Sequence, residues 1–251
     1  MSQTPSFNTA LLQTYTTAGL PSLTWGQSVA CVLILYAYMI SNKKLNWNIL
    51  LLHAISGFFG TMIEGTMIEN TFIAKGMCCP TENWAILLGL NEICWIVHES
   101  TTVIYSLVKL ETVIINQKIK LGLRAIMGLL FIGFCVFRIQ IGVLRVANNT
   151  TGNKAIGVAH ANAFIFWGLA DLIIFGLLVW NAQAEISKYE NSQTATLFMV
   201  LMQSSVPKLM IIVGNTFLIV IVGNLQGDQP QSVSDLNTFI WSVKGAYPVL
   251  F

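Results

Sequence analysis

Long apolar stretches alternate with short polar connections along this chain. An α-helix needs about 20 mainly apolar residues to cross a bilayer, and six stretches meet that length, over residues 23–41, 47–69, 83–108, 122–145, 157–181 and 204–224. A seventh candidate over residues 235–251, LNTFIWSVKGAYPVLF after Asp235, is short for a full crossing and ends at Phe251 without a polar flank. It reads as the last helix of a bundle or, alternatively, as a C-terminal amphipathic segment following six spans. The sixth apolar run extends from Thr194 to Asn224 with Pro207 inside it. One helix that projects beyond the membrane and kinks where proline removes a backbone donor satisfies both features. The expected fold is an all-α integral membrane protein, a single seven-helix domain over residues 1–251.

Composition supports a bilayer as the solvent. Hydrophobic residues make up 55% of the chain and charged residues 10%, with a mean hydropathy of +0.68, far from the balance of a soluble domain. The net charge of +2 and scattered basic residues speak against nucleic acid as a partner. No Walker loop, Rossmann glycine fingerprint or His-Glu-x-x-His zinc motif occurs, and no internal repeat is visible.

The first, third and fifth connections carry Lys43, Lys44, Lys109, Lys118, Lys120 and Lys188, with Arg124 nearby. The others carry only Lys75, Arg145 and Lys154. The positive-inside rule therefore places the N-terminus outside and, with seven spans, the C-terminus inside. The sequons starting at Asn148 and Asn149 fall on the expected outer face, as glycosylation requires. The polar N-terminal segment lacks a basic signal-peptide region and reads as a short translocated tail. Cys31, Cys94 and Cys135 read as packing residues. Adjacent Cys78 and Cys79 have no cysteine partner in another outer connection. The expected location is multi-pass, in the plasma membrane or an endomembrane.

Ionisable residues inside the apolar stretches change the picture most. A charge at mid-bilayer costs at least a few kcal/mol, so such residues face a bundle interior or a cavity and mark function. Glu64 lies about one and a half turns below the outer rim of the second stretch. On the same face His53, Gly57, Gly60 and Thr61 recur at spacings of three and four, a seam of small residues that admits a neighbouring helix. Glu92 falls near mid-membrane in the third stretch and Glu99 about two turns further in, with Trp95 on the same stripe. His98 is turned about 100 degrees from Glu99. Arg138 and Lys244 reach the depth of Glu92, His160 sits at the outer mouth of the fifth stretch, and Asp171 is near its middle. Glu69 and Lys208 read as interfacial. Trp167 and Trp241 join Trp95 as candidate cavity walls.

An outer N-terminus, short connections and a lysine midway along the last segment resemble the opsins. WSVKGAYPVLF, with Lys244 followed by Tyr247 and Pro248, is similar to the lysine, tyrosine and proline run of animal opsins. That resemblance implies retinal on Lys244 as cofactor, with Glu92 or Glu64 as counterion. The spacing departs from the family, no Asn precedes Pro248, and LVKLETV stands where Asp-Arg-Tyr closes the third helix. Ile240 occupies the position of the microbial rhodopsins' aspartate. The chain is therefore not assigned to the family.

The expected function is a heptahelical receptor or sensor that binds a small ligand in a polar pocket of the outer half. The ligand-binding or ion-path residues are Glu64, Glu92, Trp95, Glu99, Arg138, His160, Asp171 and Lys244. The expected partners are the lipid bilayer, a small molecule or ion, and a cytoplasmic signalling protein, for which the short connection from Asn181 to Thr194 offers little surface. One alternative is a retinal-binding photoreceptor or pump. Another is a proton or cation channel or transporter, with Glu64, Glu92, Glu99 and Asp171 as a stepwise path. Neither a nucleophile nor a metal triad accompanies His98 and Glu99, so an enzyme is not expected.

Overall fold

The computed structural model describes residues 23–41, 45–73, 82–148, 150, 153–188, 193–225 and 240. These form helices α1 (Leu23–Ile40), α2 (Leu45–Ile73), α3 (Glu82–Val113), α4 (Gln117–Asn148), α5 (Lys154–Lys188) and α6 (Gln193–Leu225). No strand occurs among the described residues. Helices α2 to α6 run beyond their apolar stretches, because intrahelical hydrogen bonding continues into polar residues that a hydropathy boundary excludes. Asparagines start two of them. Asn116 Oδ1 accepts from the Lys118 backbone N–H at 2.9 Å, and Asn153 Oδ1 from that of Ile156 at 2.8 Å, satisfying donors that a helix start leaves unpaired. Helix α6 runs through Pro207.

Consecutive helices pack side by side, and α3 also touches α5. Two apolar cores result. The larger joins Leu110 of α3, Met127 and Phe134 of α4, Phe164, Trp167 and Ile174 of α5, and Ile219 and Val222 of α6. Ile240, the one described residue beyond Leu225, is fully buried in this core, and its carbonyl accepts from Asn215 Nδ2 at 3.3 Å. The smaller joins Cys31 and Ile34 of α1, Leu50 and Ala54 of α2 and Tyr105 of α3.

Polarity on α4 is inverted relative to a soluble bundle. Its buried stripe contains Arg138 and Arg145, whereas Leu129, Ile132, Val136, Ile139 and Val143 face outward. Two helical stretches, Gln117–Asn148 and Lys154–Asn181, are long and apolar enough to cross a membrane, and less than half of each apolar window is buried. A core helix of a soluble domain would bury that surface.

Candidate functional site

Helices α3 and α4 are joined by only residues 114–116 and therefore run antiparallel. Each carries ionisable residues seven apart, Glu92 and Glu99 on α3, Arg138 and Arg145 on α4. Seven residues is close to two turns, so each pair shares a face. The antiparallel register sets Glu99 opposite Arg138 and Glu92 opposite Arg145.

The result is a continuous ladder. Arg138 Nε donates to Glu99 Oε2 at 2.9 Å, its Nη2 pairs with Glu99 Oε1, and its Nη1 donates to Glu92 Oε2 at 2.9 Å. Arg145 Nη1 lies 2.7 Å from Glu92 Oε1, as an ion pair without hydrogen-bond alignment. Its Nη2 donates to Glu64 Oε1 of α2 at 2.8 Å, and Trp95 Nε1 donates to Glu64 Oε2 at 2.9 Å. Charge-assisted bonds of this kind are the strong ones, and the forked guanidinium of Arg138 suits Glu99. Arg138, Glu92, Glu99 and Arg145 are 1%, 3%, 2% and 3% exposed, while the Glu64 side chain is 23% exposed. Only the Glu64 end of the ladder is open.

Backbone choices admit these groups. A Cβ at Gly142 would lie 3.3 Å from Glu92 Cγ, so glycine leaves the carboxylate its space. The Arg138 guanidinium sits 5.6 Å from the ring centres of both Phe134 and Phe164, which close its far side with apolar surface.

A second polar cluster lies where α3 meets α1 and α2. The rings of His53 and His98 stack with centroids 3.9 Å apart and an interplanar angle of 20°. Each Nδ1 donates to the other residue's backbone carbonyl, at 2.6 Å from His53 and 3.0 Å from His98. Gln27 Nε2 faces His98 Nε2 at 3.5 Å. These partners place a proton on Nδ1 of both rings. Gly57 makes the approach possible, since a Cβ there would meet His98 Nδ1 at 2.5 Å. His98 thus faces α2 and Glu99 faces α4.

The ladder unites Glu64, Glu92, Trp95, Glu99 and Arg138 from the expected site. Glu99, expected to lie deeper than the Arg138 level, shares that guanidinium with Glu92. Trp95 turns from the Glu92 and Glu99 stripe toward α2. Arg145 is a correction: assigned to an outer connection by its place at the end of an apolar stretch, it is buried, because α4 continues past it to Asn148. The paired seven-residue spacings on consecutive stretches were the sequence signal for it. His160 and Asp171 are on α5, outside these five charges, His160 half-buried and Asp171 buried. Trp167 is a core residue stacked on Phe134, with centroids 4.4 Å apart. Asn148 is exposed, at the end of α4. Lys244, Trp241, Asn149, Cys78 and Cys79, and the side chains of Glu69 and Lys208, lie outside the described residues. Among the described residues no three His, Cys, Asp or Glu side chains are grouped to hold a metal ion.

Comparison of the chain with protein-family models, curated proteins and solved structures found no match.

Proposed function

We propose that the chain is a multi-pass membrane protein with seven spans and an outer N-terminus, acting as a receptor-like sensor rather than a catalyst. The observation that carries this reading is the buried ladder of five charges beneath an apolar exterior. Ionisable groups in a bilayer mark functional sites by default, and these tie α2, α3 and α4 together through pairs that have discrete made and broken states. A small ligand at the exposed Glu64 end competes for Arg145 and Trp95, loosens α2 from α4, and passes the change along α3 to the cytoplasmic side.

Hydrogen exchange of the full chain in lipid nanodiscs tests the reading. Glu64→Gln weakens the open end of the ladder and is expected to raise exchange in α2 and at the inner end of α3. Unchanged exchange in both helices argues that the ladder is not a switch. A transporter is the second reading, favoured by the excess of carboxylates over guanidiniums in the ladder. Flux of protons or cations into reconstituted vesicles, abolished by Glu92→Gln, would select it over the sensor.

A further inference from the structure

Resting on the multi-pass reading, which puts it on the cytoplasmic side, the inference concerns the elbow where α3 turns into α4. Residues 109–124, KLETVIINQKIKLGLR, hold four basic groups, Lys109, Lys118, Lys120 and Arg124, and the single acid Glu111. Arg124 already engages that acid. Lys118 is exposed and makes no ion pair among the described residues.

The positive-inside rule asks only that basic residues lie in a cytoplasmic connection. Lys118 lies instead within α4, as the second residue of a helix whose first turn has no acid. The helix dipole disfavours a cation there, so helix stability does not explain the lysine. Its place on the helix does point to a partner. Leu121, Ala125, Leu129 and Ile132 follow Lys118 at spacings of three and four, and all are exposed. The lysine therefore heads the outward apolar stripe of α4. Ile115, at the tip of the elbow, is 86% exposed. In water that exposure gains nothing, whereas at the boundary of headgroups and acyl chains the side chain is buried.

We infer that this edge of α4 holds an acidic phospholipid of the cytoplasmic leaflet, its anionic headgroup at Lys118 and an acyl chain along Leu121, Ala125 and Leu129. The lysine stem runs over apolar surface while its ammonium reaches the phosphate, and the remaining basic groups of the elbow add to the attraction. Dimensions agree. From Lys118 to Leu129 the helix rises about 16 Å, close to half of the roughly 30 Å hydrocarbon core, which is the depth of one leaflet. A free anion would use the lysine and leave the stripe idle. A zwitterionic lipid would use the stripe and gain nothing from the charge.

Thermal unfolding of the full chain in mixed micelles tests this, with phosphatidylserine, phosphatidylglycerol or phosphatidylcholine raised in mole fraction and glycerophosphoserine supplied as a headgroup without chains. The expected result is a saturable rise in midpoint with the two acidic lipids and none with phosphatidylcholine or glycerophosphoserine. In Lys118→Gln the mole fraction giving half the effect rises about fivefold, the contribution of one cation beside an anionic surface, and Lys118→Arg keeps the native value. Because Lys118 is exposed, both variants fold as the native chain does. Lys154→Gln removes an exposed lysine at the start of α5, beyond the opposite end of α4, and is expected to change nothing.

Four results overturn the inference: equal responses to acidic lipids and phosphatidylcholine, an unaltered half-point in Lys118→Gln, an equal loss in Lys154→Gln because net charge alone matters, or an equal response to glycerophosphoserine because the ligand is a free anion. The multi-pass reading fails separately, if alkaline carbonate releases the chain from membranes. A chain that resists extraction yet responds alike to all three lipids keeps that reading and loses the lipid site.

Discussion

Helices α3 and α4 form the same kind of ion pair in two settings. Near their connection, Arg124 Nε and Nη2 each donate to Glu111 at 2.7 Å, and the Arg124 side chain is largely exposed. Further along, Arg138 holds Glu92 and Glu99 with no solvent contact to speak of. The residue types and the antiparallel register are alike, so solvent is the difference. In water a broken pair is rehydrated and little is lost. In the interior a stranded partner keeps its charge with nothing to solvate it, and the cost of breaking exceeds the benefit of forming. Burial turns a weak surface contact into an element with two well-separated states.

The largest expected effect is Arg138→Met, which strands Glu92 and Glu99 together. A loss of about 3–5 kcal/mol is expected in unfolding of the purified full chain. A loss under about 1 kcal/mol would match an exposed pair and erase the distinction. The double variant Arg138→Met with Glu99→Leu sharpens it. Removing one charge of each sign leaves Glu92 with Arg145, so most of the stability lost by Arg138→Met returns, and a double-mutant cycle reads the coupling directly. Two losses that simply add would show that each charge is solvated alone.

Much of this contrast can be read from the residues, and the rest cannot for identifiable reasons. Leucine, isoleucine and valine runs mark where α1 to α6 lie, but not their ends. α5 continues to Lys188 through AQAEISK, polar residues whose helicity owes nothing to a bilayer. Glu64, Glu92, Glu99 and Arg138 stand out because a charge within an apolar run demands an interior partner. Arg145 does not, since a charge at the end of such a run looks solvated until the length of α4 is known. The Gly57 and Gly60 seam predicts that a helix approaches α2. That His98 fills one notch and Asn91 and Trp95 border the other depends on the rotation of α3, which no periodicity sets.

Those two notches give a comparison without charge. At Gly57 an added Cβ would stand 2.5 Å from His98 Nδ1 and 2.6 Å from Gln27 Oε1. Gly57→Ala therefore separates the histidine stack, at an expected cost of about 1–3 kcal/mol in unfolding free energy. Gly60→Ala one turn away meets only ordinary contacts and is expected to be neutral or to stabilise by up to about 1 kcal/mol, since alanine is the better helix residue. Equal losses at both positions would mean that α3 packs against α2 without the distinction drawn here.

The smallest effect belongs to the exposed rung, and pH reveals its sign. Hydrogen bonds from Arg124 hold the Glu111 carboxyl below its ordinary range, and the guanidinium charge adds to them against a smaller opposing effect of burial. A depressed folded value means that the pair stabilises the fold fully above the unfolded glutamate pKa of about 4.3, and that this contribution disappears as pH falls through the folded value. Glu111→Gln should therefore leave acid unfolding slightly less steep and neutral stability almost unchanged. Added salt should bring the native chain toward the variant, because exposed pairs are screened within about 10 Å at 0.1 M. The loss in Arg138→Met should be indifferent to salt. If instead it shrinks with ionic strength as the Glu111 contribution does, water reaches both rungs and the buried one has no claim to act as a switch.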